Sequence, residues 1–352
     1  MVNTKTSFET ETPVSRGNLQ RMLRNSRKLL FPLAALILIL IGNWLISPNF
    51  FNVRIVDGRM LGSIVDIFNR GAPTVILAVG MTLVIATKGI DLSVGAVIAI
   101  CGAVAAVLID QTELSPFIVI AISIGAGVLC GLWNGVLVAV FDIQPFIATL
   151  ILMVVGRGIA QLITAGQIAI FNNPTLEFVG KGVVLGLPFP IILSALVLIL
   201  VYLMVRRTAI GLLIESVGSN DRASYYAGID ARAIKLFVYV ISGVCAAIAG
   251  LIITADIRGA DANNAGLWLE LDAVLAVVIG GTLLTGGRFY LGLSVIGALI
   301  IQSIQTGIFV SGLPPTFNLI VQAVVILLIL FLQSEEFRRP FTRLFMRMRK
   351  QS

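Results

Sequence analysis

The chain has 352 residues, of which 58% are hydrophobic and 12% are charged, and its mean hydropathy is +1.01. Since soluble domains are about 45–50% apolar and about 25% charged, this composition excludes a soluble enzyme and indicates an all-α polytopic membrane protein. The net charge of +7 comes without any histidine, which excludes histidine-based metal sites and Ser-His or Cys-His catalysis. The phosphate-binding loop of P-loop ATPases is also missing from the sequence. We therefore expect no catalytic residue, no cofactor, no metal and no nucleic-acid partner.

Ten apolar segments are candidates for membrane-spanning helices, which need about 20 mostly apolar residues. Most breaks between them contain glycine, proline or asparagine, which are typical of turns. The first segment follows a polar, basic stretch and lacks a small-residue cleavage site, so we predict a retained anchor; a cleaved signal peptide is the alternative. The predicted spans are 29–46, 72–87, 93–109, 116–141, 145–166, 187–205, 236–255, 271–285, 290–310 and 316–333.

Lysine and arginine are distributed unevenly between the two sides of these spans. If the N-terminus is cytoplasmic and the spans alternate, 19 of them lie on the cytoplasmic side, 5 lie outside, and Arg157 lies within a span. Because short basic loops stay in the cytoplasm, we predict that both termini are cytoplasmic. The chain then consists of a cytoplasmic tail 1–28, a transmembrane domain 29–333 in the lipid bilayer, and a basic cytoplasmic tail 334–352.

Two stretches of the chain resemble each other at an offset of 198 residues. Residues 77–89 and 275–287 each end a short apolar segment at a glycine-containing break, and a second apolar segment follows each break. This similarity indicates an internal parallel repeat, with chance similarity of apolar sequences as the alternative. Short segments broken by glycine at corresponding places point to a solute path.

Glycines spaced four apart mark one face of the segment 116–141. Gly127, Gly131 and Gly135 share this face, and a glycine stripe lets another helix backbone approach closely. We expect the stripe to pack against a helix of the same chain; contact with a second copy is the alternative.

Polar side chains in or between the spans are candidates for the solute path, because polar groups in hydrocarbon face a partner or water. Each has a structural alternative. Arg157 is either a contact for hydroxyls or anions, or a tether to backbone carbonyls or an acid. Asn134 beside Trp133 suits a hydroxylated solute, or forms an interhelical hydrogen bond. Asp91 or Ser93 caps the next helix, or faces the path. Gln302, Gln305 and Thr306 share one helix face, which is either a pore lining or an interhelical hydrogen-bond ladder. The full set of candidates is Asp91, Ser93, Asn134, Arg157, Gln302, Gln305 and Thr306.

Two loops combine polar and apolar residues. The cytoplasmic loop 206–235 contains a short amphipathic segment, 211–220, that we predict to be a helix ended by glycine. A soluble partner domain would cover this helix; folding back on the membrane surface is the alternative. The outer loop 256–270, with Trp268 as an interfacial anchor, suits a hydroxylated ligand or a polar protein face, or is simply solvated. Its candidates, with one residue beyond it, are Asp256, Arg258, Asp261, Asn263, Asn264, Glu270 and Asp272.

Four sequence segments together resemble motifs of a known protein family. They are residues 89–95 (GIDLSVG), residues 144–150 (QPFIATL), Asn220-x-x-Ala223-x-x-x-x-Gly228-Ile229, and residues 270–281 (ELDAVLAVVIGG). Through them the chain resembles, over 60–310, the inner-membrane permeases of bacterial ABC sugar importers of the ribose, xylose and arabinose type. The stretch 255–281 resembles galactofuranose importer permeases in particular. Lys88 departs from the family pattern, which usually has glycine there.

The resemblance implies a permease subunit of the bacterial inner membrane that works with other chains. These are a second permease subunit, two cytoplasmic ATP-binding subunits that carry ATP and magnesium, and a periplasmic sugar-binding protein. The loop 206–235 would transmit the effect of ATP binding, through Glu215, Gly218, Asn220, Arg222, Ala223 and Gly228.

The main alternative is a secondary transporter driven by protons or sodium. Such a transporter needs paired carboxylates within the membrane, and Glu270 and Asp272 are the candidates, although both lie near the end of a predicted span. An integral membrane enzyme is disfavoured, because the sequence offers neither histidine nor clustered acids.

Overall fold

Helices account for almost all the regular structure of the chain. The computed structural model describes residues 15–56 and 58–333, so the predicted tail 334–352 and residues 1–14 of the predicted tail 1–28 lie outside the described residues. The helices are α1 (Ser15–Ile46), α2 (Ser63–Ala86), α3 (Val94–Gln111), α4 (Pro116–Ala139), α5 (Pro145–Ile163), α6 (Pro174–Lys181), α7 (Phe189–Arg207), α8 (Ile210–Ser219), α9 (Asp221–Tyr226), α10 (Ala231–Ile257), α11 (Leu269–Ile279), α12 (Leu291–Val310) and α13 (Asn318–Gln333). Six short strands, β1 (Arg54–Val56), β2 (Arg59–Leu61), β3 (Ala169–Ile170), β4 (Val183–Val184), β5 (Leu187–Pro188) and β6 (Gly259–Ala260), form the antiparallel pairs β1–β2, β3–β6 and β4–β5.

Seven of the described helices, α2, α3, α4, α5, α7, α10 and α12, are long and apolar enough to cross a membrane. The apolar parts of α1 and α13 are shorter, at Leu30–Ile46 and Leu319–Leu328, and α11 has only 11 residues. Each of the ten predicted spans overlaps one of these helices. The prediction of an all-α polytopic membrane protein is confirmed.

Two predicted span boundaries are wrong. The second span, predicted over 72–87, belongs to a helix that already begins at Ser63, because its first turns carry charged side chains that interrupt the apolar run. The eighth, predicted over 271–285, is helical only to Ile279. The next residues close the helix, and Gly281 adopts a left-handed φ of +81°, which glycine tolerates.

The helices form a buried centre and an apolar outer layer. Most residues of α2 are buried, whereas most residues of α4 are not. The glycine stripe of α4 nevertheless lies against α10. A methyl group on Gly127 would come 2.6 Å from the carbonyl oxygen of Gly243, and one on Gly131 would come 2.5 Å from that of Tyr239. The expected packing of this stripe within the chain is confirmed, because no side chain would fit between the two backbones.

The connecting segments gather at two opposite ends of the bundle. The α6 end contains α6 and all three strand pairs, and the Met60 N–H donates to the Gly186 carbonyl over 2.9 Å to join two of the hairpins. The α8 end contains α8, α9 and the α2–α3, α4–α5 and α11–α12 turns. There the Gly287 N–H donates to the Ala86 carbonyl over 2.8 Å, so the two turns of the sequence repeat touch each other.

These two turns share a backbone conformation. The Lys88 N–H donates to the Ile85 carbonyl over 2.9 Å, and the Gly286 N–H donates to the Leu283 carbonyl over 3.1 Å. Lys88 and Gly286, which are 198 residues apart, have left-handed φ values of +65° and +77°. The local similarity predicted from sequence is therefore present in the turns, and both preceding helices run towards the α8 end.

Candidate functional site

A cavity of about 500 Å³ opens between α2, α11 and α12 towards the α6 end of the bundle. Its volume falls in the range of small-molecule sites, about 300–1,000 Å³. The lining residues are Ser63, Asp66, Arg70, Pro73 and Thr74 of α2, Ile253 of α10, Leu269 of α11, and Gln302, Gln305, Thr306, Phe309 and Val310 of α12.

The mouth of the cavity carries one charge of each sign. Asp66 and Arg70 are one helical turn apart on α2 and both are exposed. The Arg70 guanidinium lies 5.8 Å from the centre of the Phe309 ring, within the range of a cation–π contact between α2 and α12. The mouth is therefore polar but has no net charge.

The floor of the cavity is built by one face of α12. Gln302 packs against Gly71, where a methyl group would lie 3.3 Å from the glutamine Cγ, so the glycine makes room for this side chain. Gln305 Nε2 donates to Asp272 Oδ2 over 3.3 Å. The Thr306 hydroxyl is buried and has no hydrogen-bond partner among the described residues. Amide and hydroxyl groups thus face a space that a solute can enter.

A buried carboxylate supports this floor from α11. Asp272 is 8% exposed, and its Oδ1 accepts a hydrogen bond of 2.6 Å from Gln322 Nε2 of α13. Gln305 Nε2 reaches Gln322 Oε1 as well, at 3.5 Å. The three side chains tie α11, α12 and α13 together directly behind the cavity.

The structure brings together three of the seven residues predicted for the solute path. Gln302, Gln305 and Thr306 line the cavity, whereas Asp91, Ser93, Asn134 and Arg157 lie elsewhere. The sequence prediction missed the α2 side, because charged residues were treated as the end of an apolar span. The spacing of Asp66 and Arg70 on one helix face is the signal that would have found it.

Asp91 lies at the centre of a hydrogen-bond network between three helices. Its Oδ1 accepts from the Ser93 hydroxyl at 2.6 Å and from the Ser93 N–H at 3.0 Å, and its Oδ2 accepts from the Ser242 hydroxyl at 2.7 Å. Asn134 Nδ2 donates to the Ser93 hydroxyl over 2.7 Å. The expected side-chain cap on α3 is not formed, because these groups are engaged with each other.

This network matches the structural alternative for Asn134. Asn134 is 1% exposed, whereas its neighbour Trp133 on the same helix is 54% exposed. The amide and the indole therefore do not form a common surface for a solute. The Asp91 network locks the α2–α3 turn to α4 and α10.

Arg157 tethers the segment between β6 and α11. Its Nη1 donates to the carbonyl oxygens of Ala262 and Ala265, at 3.1 and 2.6 Å. The segment reaches into the bundle, since a methyl group on Gly266 would lie 2.6 Å from the Gly95 carbonyl oxygen at the start of α3. This geometry corresponds to the structural alternative for Arg157, and it sets where α11 begins.

The residues predicted for the outer face divide into an exposed and a buried group. Asp261 accepts from Asn264 Nδ2 at 2.7 Å, and this hydrogen bond lowers the pKa of the Asp261 carboxyl. Arg258 forms an ion pair of 2.9 Å with Glu177. By contrast, the structure buries Glu270 and Asp272, which are 5% and 8% exposed. The exposed group is Asp256, Arg258, Asn263 and Asn264, with Asp261 partly buried among them. Gln161 Nε2 donates to Asn263 Oδ1 over 2.7 Å.

Helix α8 connects the predicted coupling loop to both repeat turns. Gly218 lies so close to the Ala86 carbonyl and the Gly287 N–H that a methyl group on it would overlap them. Lys88 Nζ donates to the Ser219 carbonyl over 3.1 Å. The predicted helix exists, but it is capped by Asn220 and not ended by glycine. A push on α8 therefore acts directly on the ends of α2 and the α11–α12 turn.

A groove of about 1,130 Å³ lies beside α9 at the same end. Tyr225 and Tyr226 project from it and are 71% and 88% exposed. Asp221 forms an ion pair with Lys235 at 3.4 Å. Burial acts to raise the pKa of Asp221, but Lys235, the Arg222 N–H and the charge of Lys88 together lower this pKa below its usual value. The groove is lined by Ala139, Val140, Asp142, Asp221, Arg222, Tyr225, Tyr226, Gly228, Ile229, Asp230, Ala231, Arg232 and Lys235.

Residues 63–330 match the family described as branched-chain amino acid transport system / permease component. The chain belongs to this permease family. It is 59% identical to the galactofuranose transporter permease protein YtfT of Escherichia coli K12, over 87% of this chain and 89% of the relative. It is 41% identical to the fructose import permease FruF of Bifidobacterium longum, over 79% of each chain, and 36% identical to the ribose import permease RbsC of Escherichia coli K12, over 86% of this chain and 92% of the relative. No solved structure matches the chain.

The family assignment confirms the resemblance inferred from the four sequence segments. A permease is a transport component and not an enzyme, as predicted. The matched range begins at the first residue of α2 and ends within α13, so the cavity, the Asp91 network and the α8 end all belong to the family's permease unit.

Proposed function

We propose that this permease is the transmembrane subunit of an ATP-driven importer that carries a sugar, galactofuranose or another monosaccharide, across the bacterial inner membrane. The observation that carries the proposal is the cavity between α2 and α12, lined by amide, hydroxyl, charged and aromatic side chains within a permease fold. The printed substrates of the relatives, galactofuranose, fructose and ribose, are all monosaccharides and support the same solute class.

The chemistry of the cavity suits a neutral polyol. Its floor offers both hydrogen-bond donors and acceptors from Gln302, Gln305 and Thr306, and each sugar hydroxyl can serve as either. The opposite charges of Asp66 and Arg70 balance, so an anionic or cationic solute gains no net attraction at the mouth. The Phe309 ring adds an apolar surface for the C–H face of a sugar ring.

The energy for uptake comes, in this proposal, from two ATP-binding subunits on the cytoplasmic side. The groove at the α8 end and its exposed Tyr225 and Tyr226 form the docking surface, since exposed aromatic side chains are favoured in protein interfaces. The topology agrees, because Lys88 and the loop 206–235, both predicted to be cytoplasmic, meet at this end. A periplasmic sugar-binding protein would dock at the α6 end, and a second permease subunit completes the path.

The proposed coupling runs through contacts that already join the two ends. Docked subunits move α8, and α8 bears on Ala86 and Gly287. Near the α8 end of α2, the Thr82 hydroxyl donates to the Ser294 hydroxyl of α12 over 2.8 Å, so the two helices that line the cavity shift together. Differential contact of the two nucleotide states with α8 is then the physical driver.

The test is ATP hydrolysis by the complex purified with its ATP-binding subunits. Sugar-loaded binding protein should stimulate hydrolysis by the wild-type complex. Gly218→Val should abolish the stimulation while the subunits still co-purify, because the side chain displaces α8 from the turns. Gly125→Val is the matched control, since the space around Gly125 is open and stimulation should persist.

Two outcomes contradict the proposal. One is stimulation of the Gly218→Val complex at the wild-type level. The other is sugar uptake by the chain alone in response to a proton or sodium gradient, which would support the secondary transporter.

A further inference from the structure

We propose that the permease itself selects its solute, because Asp272 fixes the Gln305 amide as a hydrogen-bond acceptor for a sugar hydroxyl at the cavity floor. This inference rests on the proposed function and adds a selection step within the membrane to any selection made by a binding protein. Asp272 is a positioning residue in this account, since it acts through Gln305.

The orientation of the Gln305 amide follows from its partners. A carboxylate only accepts hydrogen bonds, so the group of Gln305 that lies 3.3 Å from Asp272 Oδ2 must be the NH₂. The same NH₂ reaches Gln322 Oε1. Gln322 in turn uses its own NH₂ on Asp272 Oδ1 at 2.6 Å, which holds the carboxylate in place. With its donor side engaged behind the cavity, Gln305 presents its carbonyl oxygen to the space it lines.

Two adaptable groups flank this fixed acceptor on the same helix. The Thr306 hydroxyl is buried and lacks a partner among the described residues. The side chain of Gln302, 7% exposed and one turn away, lines the cavity beside it. A buried hydroxyl without a partner, as at Thr306, is costly until a solute or water meets it. The floor therefore combines one oriented acceptor with two groups that can turn to suit a neighbouring hydroxyl.

Such a floor discriminates against solutes that lack a hydroxyl. A site built to hydrogen-bond a hydroxyl rejects the analogue without it, because the buried polar groups then remain unpaired. We expect the permease to transport a monosaccharide better than its deoxy analogue, and we expect this preference to depend on Gln305 and on the carboxylate behind it.

The test measures uptake by the complete transporter in proteoliposomes, with the same binding protein throughout. The probes are D-ribose against 2-deoxy-D-ribose and D-galactose against 2-deoxy-D-galactose. Since selection by the binding protein is constant across variants, a change in the ratio of the two rates comes from the permease. Gln305→Leu should lower uptake of the preferred sugar at least tenfold and bring the ratio towards one. Asp272→Asn frees the amide to turn and should lower the ratio about threefold.

A control and a second variant keep the test decisive. Gln111→Leu makes the same substitution at the exposed end of α3, away from the cavity, and should leave the ratio unchanged. If Asp272→Asn fails to assemble, Thr306→Val tests the same floor and should reduce the ratio. Ratios that stay at the wild-type value in active Gln305→Leu and Thr306→Val complexes would overturn the inference. A wild-type complex that takes up no monosaccharide in this assay would overturn the proposed function, and the inference with it.

Discussion

The two halves of the sequence repeat, α2–α3 and α11–α12, start from similar apolar patterns and place a buried carboxylate differently. In α2–α3 the carboxylate is Asp91, which sits at the turn and accepts hydrogen bonds from the Ser93 hydroxyl of the same turn and the Ser242 hydroxyl of α10. In α11–α12 it is Asp272, which sits at the start of the first helix, behind a cavity. The Asp91 carboxylate holds the α2–α3 turn against its neighbours, and the Asp272 carboxylate orients the Gln305 side chain towards the cavity.

The difference in helix length explains this placement. Helix α2 has 24 residues and runs from the cavity mouth to the α8 end, whereas α11 has 11 residues and begins inside the bundle. Arg157 holds the preceding segment in this inward position. A half-length helix brings polar groups to mid-depth, which a full-length apolar helix cannot do without interrupting its own span.

The largest effect is expected at Asp91. Asp91→Ala leaves the Ser93 and Ser242 hydroxyls without their buried acceptor, at a cost of about 3 kcal/mol, since each unsatisfied buried group costs about 1–3 kcal/mol. The thermal unfolding midpoint of the purified permease should fall by several degrees. The uptake ratio between a sugar and its deoxy analogue should not change, in contrast to Asp272→Asn. An unaltered unfolding midpoint would show that the Asp91 network does not hold the α2–α3 turn in place.

The packing of α11 against α12 should be the next most sensitive feature. A methyl group on Gly297 would overlap the carbonyl oxygen of Ala276, so Gly297→Val should destabilise the protein by about 2 kcal/mol. Gly292, on the same helix, has open space around it, and Gly292→Val should change the midpoint very little. Equal midpoints for the two variants would contradict a close contact between these helices.

Substitutions at Lys88 should change stability by a smaller amount, and they compare the two turns directly. It adopts the left-handed conformation that glycine supplies at Gly286, and this conformation costs a side chain about 1–2 kcal/mol. Lys88→Gly removes this strain together with the bond to Ser219, whereas Lys88→Ala removes only the bond. The glycine variant should therefore be more stable than the alanine variant by about 1 kcal/mol. The reverse order of unfolding midpoints would indicate a different backbone conformation in the turn.

The smallest effect is expected at Trp133. Its side chain is 54% exposed on the outer layer, so Trp133→Phe should change stability by less than about 0.5 kcal/mol and leave sugar uptake intact. Asn134→Ala, one residue further, should destabilise the protein by about 1–2 kcal/mol through the Asp91 network. A loss of uptake in Trp133→Phe alone would restore the interpretation of these two residues as a solute surface.

Composition and periodicity were sufficient to place the ten spans, the α4 glycine stripe and the helix of the coupling loop, but not the short helices α6 and α9. These features depend on local patterns, namely apolar runs and the four-residue spacing of Gly127, Gly131 and Gly135. The family resemblance also rested on contiguous motifs. Hydropathy alone could not fix the end of α11, because apolar residues continue beyond Ile279 to Leu284 and only the glycines between them mark the stop.

The cavity depends on contacts between distant residues, so sequence reasoning recovered only its α12 side. The spacing of Gln302 and Gln305 showed a shared polar face, but it could not distinguish a pore lining from an interhelical ladder. The structure shows both at once, since Gln305 lines the cavity and bonds to Asp272. The inward path of the segment before α11 was equally hidden, because its polar composition is that of an exposed loop.

The most direct test of the account is uphill sugar uptake into proteoliposomes that contain either the permease alone or the permease with its ATP-binding subunits and sugar-binding protein. The account predicts accumulation only in the complete system, only with ATP on the side of α8, and none with Gly218→Val. Accumulation by the permease alone under an ion gradient, or by the Gly218→Val complex at the wild-type rate, would contradict it.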